Sequence, residues 1–212
     1  MTKKQLHLVR HGEVENPEGI LYGRLPGYGL SARGHEMARA ASEALVARKR
    51  DITALYASPL LRARQSAQPI AEAFGVEIRN EPRIIEPTNH FEGQKNHGPD
   101  SAFKNPRHWW RFWNPLLPSW GEPYRRIQRR VRAAMDDAWE IHDDGDIVMV
   151  CHQAPIWNAV LSVAGKPLAH NPAKRRCGLS SITSFEKVGD SWREVAYETP
   201  AETSDAKDVG AV

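Results

Sequence analysis

The sequence has few of the features that mark membrane, disulfide-stabilised or nucleic-acid-binding proteins. Among its 212 residues are only two cysteines, Cys151 and Cys177, which form neither a disulfide framework nor a CxxC metal-binding spacing. No apolar run approaches the roughly 18 residues that a membrane-spanning helix needs. The net charge is only +3, without the strong basic bias of nucleic-acid-binding domains. We therefore expect no membrane association and no nucleic acid partner.

The composition is that of a folded globular protein. Hydrophobic residues make up 41% and charged residues 26% of the chain, which is ordinary for a globular domain. The length fits one large domain at roughly 100–200 residues per domain. We predict a single domain over residues 1–198 and a disordered tail over the small, polar residues 199–212. The first apolar stretch is too short for a signal peptide, so we expect a cytoplasmic protein.

Short apolar runs alternate with segments of helical periodicity along the chain. We predict strands over residues 5–9, 52–58, 76–80 and 146–153, and a closing hairpin over 180–188 and 191–198. We predict helices over residues 32–48, with Ser31 as N-cap, 59–74, with Ser58 as N-cap, 124–142 and 155–164. This alternation predicts an α/β fold, a three-layer sandwich with a mainly parallel sheet and helices on both faces.

Two segments of the predicted fold have their own interpretation. Residues 146–153 form the most continuous apolar run, which predicts a central strand buried on both faces. Residues 86–123 are rich in Pro, Asn, His, Gly and Trp without a sustained period, and we interpret them as an inserted cap or substrate segment. The tryptophans between Trp109 and Trp120 have two readings, a cap that packs over the sheet or a wall of the pocket.

Two of the predicted strands end in histidine. Arg10 and His11 follow the first strand, and His152 ends the central one. Ligands of such folds bind beyond the carboxyl ends of the strands, so we expect both imidazoles in one crevice. Arg62, in the first turns of the following helix, lies near the same rim, where helix N-termini also present free N–H groups. Together these groups predict a site for a dianion, and a phosphoryl group fits it best.

Several short motifs along the chain match one known family in order. The motifs are LVRHGE at 8–13, GRLP at 23–26 with LSARG at 30–34, SPLLRARQSA at 58–67, GEP at 121–123, VMVCH at 148–152 and SSIT at 180–183. They resemble those of the histidine phosphatase superfamily, which includes the phosphoglycerate mutases. The resemblance extends over roughly residues 5–187 and implies a phosphoglycerate mutase-like fold.

The resemblance implies a role for each residue of the crevice. His11 is implied as the catalytic nucleophile that becomes a phosphohistidine, and Arg10, Arg62 and His152 as the groups that bind the phosphoryl oxygens. An imidazole attacks phosphorus only when neutral, and we expect the two arginines to lower the pKa of His11. The same arginines stabilise charge on the transferring group, so we expect no metal and no other cofactor.

Further residues follow from the resemblance at positions where the sequence departs from the family pattern. Glu86 is implied as the general acid, and Glu92 is the alternative because the residues between them differ from the usual pattern. Asn16 is implied at the phosphate, although it follows the first arginine by six residues instead of seven. Gln153 replaces the usual glycine after the second histidine and is also expected at the phosphate. Arg24 is implied in substrate binding.

The function implied is a metal-independent phosphomonoesterase that acts on a small phosphorylated metabolite through a phosphohistidine. Phosphoryl transfer by a cofactor-dependent phosphoglycerate mutase is the alternative; mutases usually carry a longer insertion before the Gly-Glu motif, and the modest length here favours hydrolysis. A phosphate-ligand binding protein without turnover is a third reading, since Gln153 and the segment after Glu86 depart from the pattern. The partner is a small phosphate ester, and a monomer and a homodimer both stay open.

Overall fold

The computed structural model describes residues 3–95, 121–171 and 174–201. In order, these residues form β1 (Leu6–Arg10), α1 (Ala32–Ala47), β2 (Ile52–Ala57), α2 (Leu61–Phe74), β3 (Ile78–Asn80), a 3-10 helix (Pro82–Ile84), α3 (Tyr124–Ile141), β4 (Asp146–Cys151), α4 (Gln153–Val163), β5 (Ile182–Val188) and β6 (Ser191–Glu198). The predicted α/β fold is confirmed, with each predicted strand and helix present and its bounds shifted by a few residues. No helix within the described ranges is both long and apolar enough to cross a membrane.

The strands of the described residues form one mixed sheet in the order β3-β2-β4-β1-β5-β6. β1, β2, β3 and β4 run parallel, whereas β5 pairs antiparallel with both β1 and β6. Every residue of β4 is buried, and β4 lies between β1 and β2. Its predicted central position is confirmed, and the continuous apolar run reflects burial on both faces.

Alternate residues of the strands face two separate cores. Leu8 and Met149 belong to the core beneath α3 and α4, whereas their neighbours Val9 and Val148 belong to the core beneath α1 and α2. This is the period of two that places successive side chains on opposite faces of a sheet. The sandwich therefore has helices on both faces, as predicted.

The two helix starts predicted from serine differ in outcome. Ser31 caps α1 as expected, because its hydroxyl accepts the N–H of Gly34 at 3.0 Å. The prediction that Ser58 caps α2 is wrong: the helix begins at Leu61, and Leu60 occupies the N-cap position without a side-chain cap. The hydroxyl of Ser58 lies instead 2.7 Å from Nε2 of His152. Serine is a capping residue by type, and here its hydroxyl serves a distant strand end.

Two glycines allow the loop after β1 to lie directly against the start of α1. A Cβ atom at Gly12 would stand 2.3 Å from the carbonyl oxygen of Gly34, and a Cβ at Gly34 would stand 2.0 Å from the carbonyl oxygen of Glu13. Neither contact leaves room for a side chain. The N–H of Gly12 also donates to the hydroxyl of Ser66 on α2 at 3.1 Å. The residue after His11 is thereby fixed between two helices.

A buried polar network ties β1 to β4 at the edge of the sheet opposite the histidines. Asp146, the first residue of β4, is 2% exposed. Its carboxylate accepts two hydrogen bonds from Arg50, at 2.5 and 2.8 Å, and one from the N–H of Gln5 at 2.8 Å. His7 Nε2 lies 3.1 Å from the same carboxylate, and Arg48 donates to His7 Nδ1 at 3.1 Å. The buried imidazole and carboxylate are thus both hydrogen-bonded.

Parts of the sequence-based predictions fall outside the described residues. The tryptophan cluster and residues 96–120 of the segment interpreted as a cap are among them, as are residues 202–212 of the expected tail. The single domain therefore stays a prediction.

Candidate active site

The ends of β1 and β4 bring the two predicted histidines together. The strands are adjacent and parallel, with Arg10 opposite Cys151, so the residues that follow leave the sheet side by side. The ring centroids of His11 and His152 are 5.2 Å apart, and both residues are at most 1% exposed. The expectation of one shared crevice at the carboxyl edge of the sheet agrees with this geometry.

The protonation of His11 follows from its hydrogen bonds. Nδ1 lies 2.7 Å from the carbonyl oxygen of Gly12, and since a carbonyl only accepts, Nδ1 carries the proton. Nε2 keeps its lone pair and accepts a hydrogen bond from Nε of Arg62 at 3.3 Å. Burial, and then the charges of Arg62 and Arg10, hold the pKa of His11 well below its usual value of 6.5. His11 is therefore a neutral imidazole with the lone pair that a nucleophile needs.

Two buried arginines supply positive charge around this ring. Arg10 and Arg62 are each at most 1% exposed. Backbone carbonyls hold them in place: Nη1 of Arg10 donates to Cys177 at 2.6 Å, and Nη2 of Arg62 donates to Gly23 at 2.9 Å. The guanidinium of Arg62 also lies over the ring of Tyr22, 4.7 Å from its centroid. Buried guanidinium groups beside a neutral imidazole favour an anion with several oxygens, such as a phosphoryl group.

His152 is oriented by a residue whose role the sequence did not reveal. Its Nε2 lies 2.7 Å from the hydroxyl of Ser58, and its Nδ1 lies 3.6 Å from Oε2 of Glu86. Burial, and then the charges of Arg62 and His11, keep the pKa of His152 well below its usual value. α4 begins directly after His152, so the positive end of its helix dipole lies at the same edge.

Of the two predicted general acids, Glu86 is the one whose carboxyl group lies beside His152, with Oε2 at 3.6 Å from Nδ1. Glu86 is 1% exposed, and among the described residues neither of its carboxyl oxygens has a hydrogen-bond partner. Burial raises its pKa against the opposing charges of Arg62 and Arg175. Glu92 is engaged locally, since its Oε1 accepts the N–H of Asn89 at 3.1 Å. A buried carboxyl group with a raised pKa is suited to donating a proton to a leaving oxygen.

The structure places the three remaining predicted residues in contacts with the protein itself. The side-chain amide of Asn16 bonds both backbone groups of Ile20, at 2.9 and 3.0 Å, and so closes its own loop. Gln153 accepts a hydrogen bond from Arg175 at 3.2 Å through its side-chain oxygen. Arg24 donates to the backbone carbonyl of Glu86 at 2.5 Å. Arg24 and Gln153 are thus adjacent to site residues, whereas the Asn16 amide serves the loop.

Arg175 is a site residue that the sequence-based reasoning missed. Neutral side chains hold it: Nε donates to Nε2 of His170 at 2.9 Å, Nη1 donates to Gln153, and Tyr124 adds a further side-chain hydrogen bond. Its contact with Gln153, the residue after His152, places it beside the site, and its charge lowers the pKa of Glu86. The only sequence signal was the basic run at 174–176 ahead of the late strand.

Within the described part of the chain, no group of three or more His, Cys, Asp or Glu side chains is arranged to hold a metal ion. The arginines Arg10 and Arg62 are the positive charges that act on both His11 and His152.

Comparison with known proteins identifies the family. The pattern of the histidine phosphatase superfamily (branch 1) matches residues 6–200. The uncharacterized protein Rv0525 of Mycobacterium tuberculosis is 47% identical over 197 residues, 93% of this chain and 96% of that protein. The probable phosphoglycerate mutase GpmB of an Enterobacter species is 31% identical over 194 residues, 89% of this chain and 87% of that protein.

Among solved structures, the mycobacterial glucosyl-3-phosphoglycerate phosphatase Rv2419c, in complex with VO3, has a TM-score of 0.75 at 25% identity. The similarity covers 91% of this chain and 97% of that chain. The relatives thus include both phosphatases and mutases, and the fold agrees with theirs. With the family pattern matching nearly the whole chain, and with histidines and arginines meeting at one edge of the sheet, the protein belongs to the histidine phosphatase superfamily.

Proposed function

We propose that the protein is a phosphomonoesterase that works through a phosphohistidine at His11. The observation that carries this proposal is the neutral Nε2 of His11, which is turned toward the Arg62 guanidinium, with a protonatable Glu86 beside His152. These groups supply a nucleophile, positive charge for the phosphoryl oxygens, and a proton for the leaving group. Together they form the minimum set for phosphoryl transfer to an imidazole.

In the first step, the lone pair of His11 Nε2 forms a bond to phosphorus while the bond from phosphorus to the ester oxygen breaks. Glu86 transfers its carboxyl proton to that oxygen, which leaves as an alcohol. The Nδ1–H of His11 stays on the carbonyl of Gly12 and stabilises the phosphorylated ring. Arg10 and Arg62 bind the phosphoryl oxygens, where charge is spread in the transition state. His152 adds a donor when the Ser58 hydroxyl donates to its Nε2 and leaves the proton on Nδ1.

In the second step, water attacks phosphorus and the bond between phosphorus and Nε2 breaks. The Glu86 carboxylate accepts one proton of the water, which restores the acid for the next cycle. An incoming phosphate dianion offsets the arginine charges that lower the pKa of Glu86, so substrate binding favours the protonated acid. No proton, electron or further reactant is left over.

The substrate class is part of the proposal. Arg175 contacts Gln153, which follows His152, and its charge acts on Glu86, so we expect it to favour an ester whose organic part carries a carboxylate. The names of the Enterobacter relative and of the mycobacterial phosphatase Rv2419c both contain phosphoglycerate, which is such an ester. The matched probes are 3-phosphoglycerate and glycerol 3-phosphate, in which a hydroxymethyl group replaces the carboxylate.

The selectivity test compares these two esters in wild type and in Arg175→Gln. We expect the variant to lose kcat/KM for 3-phosphoglycerate and to keep it for glycerol 3-phosphate. Arg176→Gln is the control, because the neighbouring Arg176 is exposed and pairs with Glu194. An equal loss of kcat/KM on both esters would show that Arg175 does not bind the substrate carboxylate.

The test of the reaction is phosphate release from p-nitrophenyl phosphate, with a metal chelator present. Wild type should release phosphate, and His11→Ala should not. His35→Ala on α1 is the matched control and should retain activity. Rapid acid-free quenching should trap phosphate on wild type in an alkali-stable linkage. Release by His11→Ala at the wild-type rate would refute the mechanism.

The same assays separate the alternatives. Return of the phosphoryl group to 3-phosphoglycerate as an isomer, without net phosphate release, would identify a mutase, the reading that the Enterobacter relative favours. Saturable binding of 3-phosphoglycerate without turnover would identify a binding protein. We expect a small phosphate ester to be the partner of the site in each case.

A further inference from the structure

Glu122 is not among the residues proposed to contact the phosphoryl group, but its carboxylate pairs with several arginines near Glu86. Glu122 is 9% exposed. Arg130 donates to both of its carboxylate oxygens, from Nε at 3.0 Å and from Nη2 at 2.9 Å. Arg24 donates to Oε2 at 3.3 Å, and Arg126 adds a longer, exposed contact at 3.6 Å. The paired contact of Arg130 fixes the direction of its guanidinium plane as well as its position.

The remaining donors of these arginines hold the backbone that carries Glu86. Nε of Arg24 donates to the carbonyl of Glu86 at 2.5 Å. Nη1 of Arg130 donates to the carbonyl of Arg83 at 2.6 Å. The N–H of Glu122 itself donates to the carbonyl of Thr88 at 3.2 Å. Three backbone carbonyls, one before Glu86, its own and one after it, therefore accept hydrogen bonds from Glu122 or from the arginines that pair with Glu122.

These backbone contacts matter because the other end of the Glu86 side chain has no such support. Its carboxyl oxygens have no hydrogen-bond partner among the described residues. The position of the Glu86 carboxyl group relative to His152 therefore depends on the position of the Glu86 backbone. Proton transfer to a leaving oxygen requires hydrogen-bond distance, and small displacements of a catalytic group are costly.

We propose that Glu122 is a positioning residue, which acts through Arg24 and Arg130 to hold Glu86 where it protonates the leaving group. This inference rests on the proposed function. It also assigns Arg24 to the positioning of the general acid, a role that the sequence did not predict.

The charge of Glu122 has a second consequence for the same step. It balances Arg24 and Arg130, and Arg130 lowers the pKa of Glu86. Without this carboxylate, the two arginines act on Glu86 with their full charge, so its pKa falls. The charged and titratable groups around Glu86 come from β1, the loop after β1, α2, α3, the residue after β4 and the loop before β5: Arg10, Arg24, Arg62, Arg130, His152 and Arg175. None of these residues changes in a Glu122 variant.

The experiment exploits the leaving group. A nitrophenolate leaves without a proton, whereas the alkoxide of glycerol 3-phosphate requires one. General acid catalysis contributes about 10²–10⁴-fold, and we expect Glu122→Gln to lose about 10–100-fold of kcat on glycerol 3-phosphate and less than about threefold on p-nitrophenyl phosphate. The alkaline limb of the glycerol 3-phosphate pH profile should move to lower pH.

Two further variants keep the test sharp. Arg24→Met removes the bond to the Glu86 carbonyl and, because Arg24 is half-buried at the surface, should fold even if Glu122→Gln does not. It should show the same dependence on the leaving group. Glu194→Gln, on the edge strand β6, is the control for losing a carboxylate and should match wild type on both esters.

The outcomes are distinguishable. A similar fall on both esters, or no fall on glycerol 3-phosphate, would overturn the role of Glu122 and leave the phosphohistidine mechanism standing. Failure of wild type to hydrolyse p-nitrophenyl phosphate, or hydrolysis by His11→Ala at the same rate, would overturn the proposed function and the role of Glu122 with it.

Discussion

Replacing Asp146 by asparagine tests how much the buried network between β1 and β4 contributes to stability. Burial by itself raises the pKa of Asp146, but hydrogen bonds from Arg50, His7 and the N–H of Gln5 outweigh burial and bring the pKa from 3.8 to about 2. A shift of this size corresponds to about 2.4 kcal/mol at neutral pH. We therefore expect Asp146→Asn to lower the free energy of unfolding by about 2–3 kcal/mol at pH 7.

The stability difference between wild type and Asp146→Asn should depend on pH in a defined direction. A carboxylate whose pKa is lower in the folded state stabilises the fold above the unfolded pKa, and this stabilisation disappears as the pH falls through the folded pKa. The difference between wild type and Asp146→Asn should therefore be constant above about pH 5, about half as large at pH 3, and small near pH 2. Urea denaturation followed by tryptophan fluorescence at pH 7, 5, 4 and 3 measures it.

A second aspartate provides the matched control. Asp137 also pairs with an arginine, Arg83, but its side chain is 54% exposed. Exposed ion pairs contribute about 0–1 kcal/mol, so Asp137→Asn should have a small effect at every pH. If Asp146→Asn costs the same at pH 3 and pH 7, the loss comes from shape or packing and the electrostatic reasoning is wrong.

Three further predictions concern the site itself. Glu86→Gln should lower kcat on glycerol 3-phosphate by about 10²–10⁴-fold and abolish the alkaline limb of the pH profile, because the limb reports loss of the Glu86 proton, whose pKa burial raises. Gly12→Ala should lower the free energy of unfolding by about 1–3 kcal/mol and reduce phosphate release, since its Cβ would stand 2.3 Å from the Gly34 carbonyl oxygen. Ser58→Ala should cost about 1–3 kcal/mol of phosphate affinity, measured by calorimetry, because it leaves Nε2 of His152 unpaired and the ring unoriented.

Each of these predictions has an outcome that would contradict it. An alkaline limb that persists in Glu86→Gln would assign that limb to another group. Wild-type melting of Gly12→Ala would show that the loop and α1 separate easily. Unchanged phosphate affinity in Ser58→Ala would mean that His152 needs no orienting partner; Ser162→Ala, on α4, is the control for losing a serine hydroxyl.

The sequence was sufficient to predict the elements that depend on local chemistry. The apolar run of β4 and the serine cap of α1 are properties of neighbouring residues, and the two histidines follow from the strands that precede them. The same local reasoning failed at Ser58. Its hydroxyl suits a helix N-cap by type, but it hydrogen-bonds instead with His152, which is distant in the chain.

Partners that come from distant segments could not be read from the sequence. Substrate binding by Arg24 stays a prediction, and its hydrogen bonds to the Glu86 carbonyl and to Glu122 were not predicted. Arg175 is a basic residue in a basic run, and only the fold brings it to Gln153 beside the site. In both cases the residue type indicated charge, but the choice of partner depends on which loops the sheet brings together.

The parallel pairing of β1 and β4 joins two strands that are far apart in the chain and are therefore synthesised at different times. β1 precedes α1, β2, α2 and α3 in the chain, whereas β4, which ends just before the second histidine, follows α3. The other neighbour of β1 in the sheet, β5, comes later still. The N–H of Ser180, just ahead of β5, donates to the carbonyl of His11 at 3.2 Å. During synthesis β1 therefore stays without its parallel partner at least until α3 has been made, a state open to mispairing. We expect a phosphate ligand of the two histidines to bind only after this late closure, and so to stabilise finished molecules and not the intermediates that precede them.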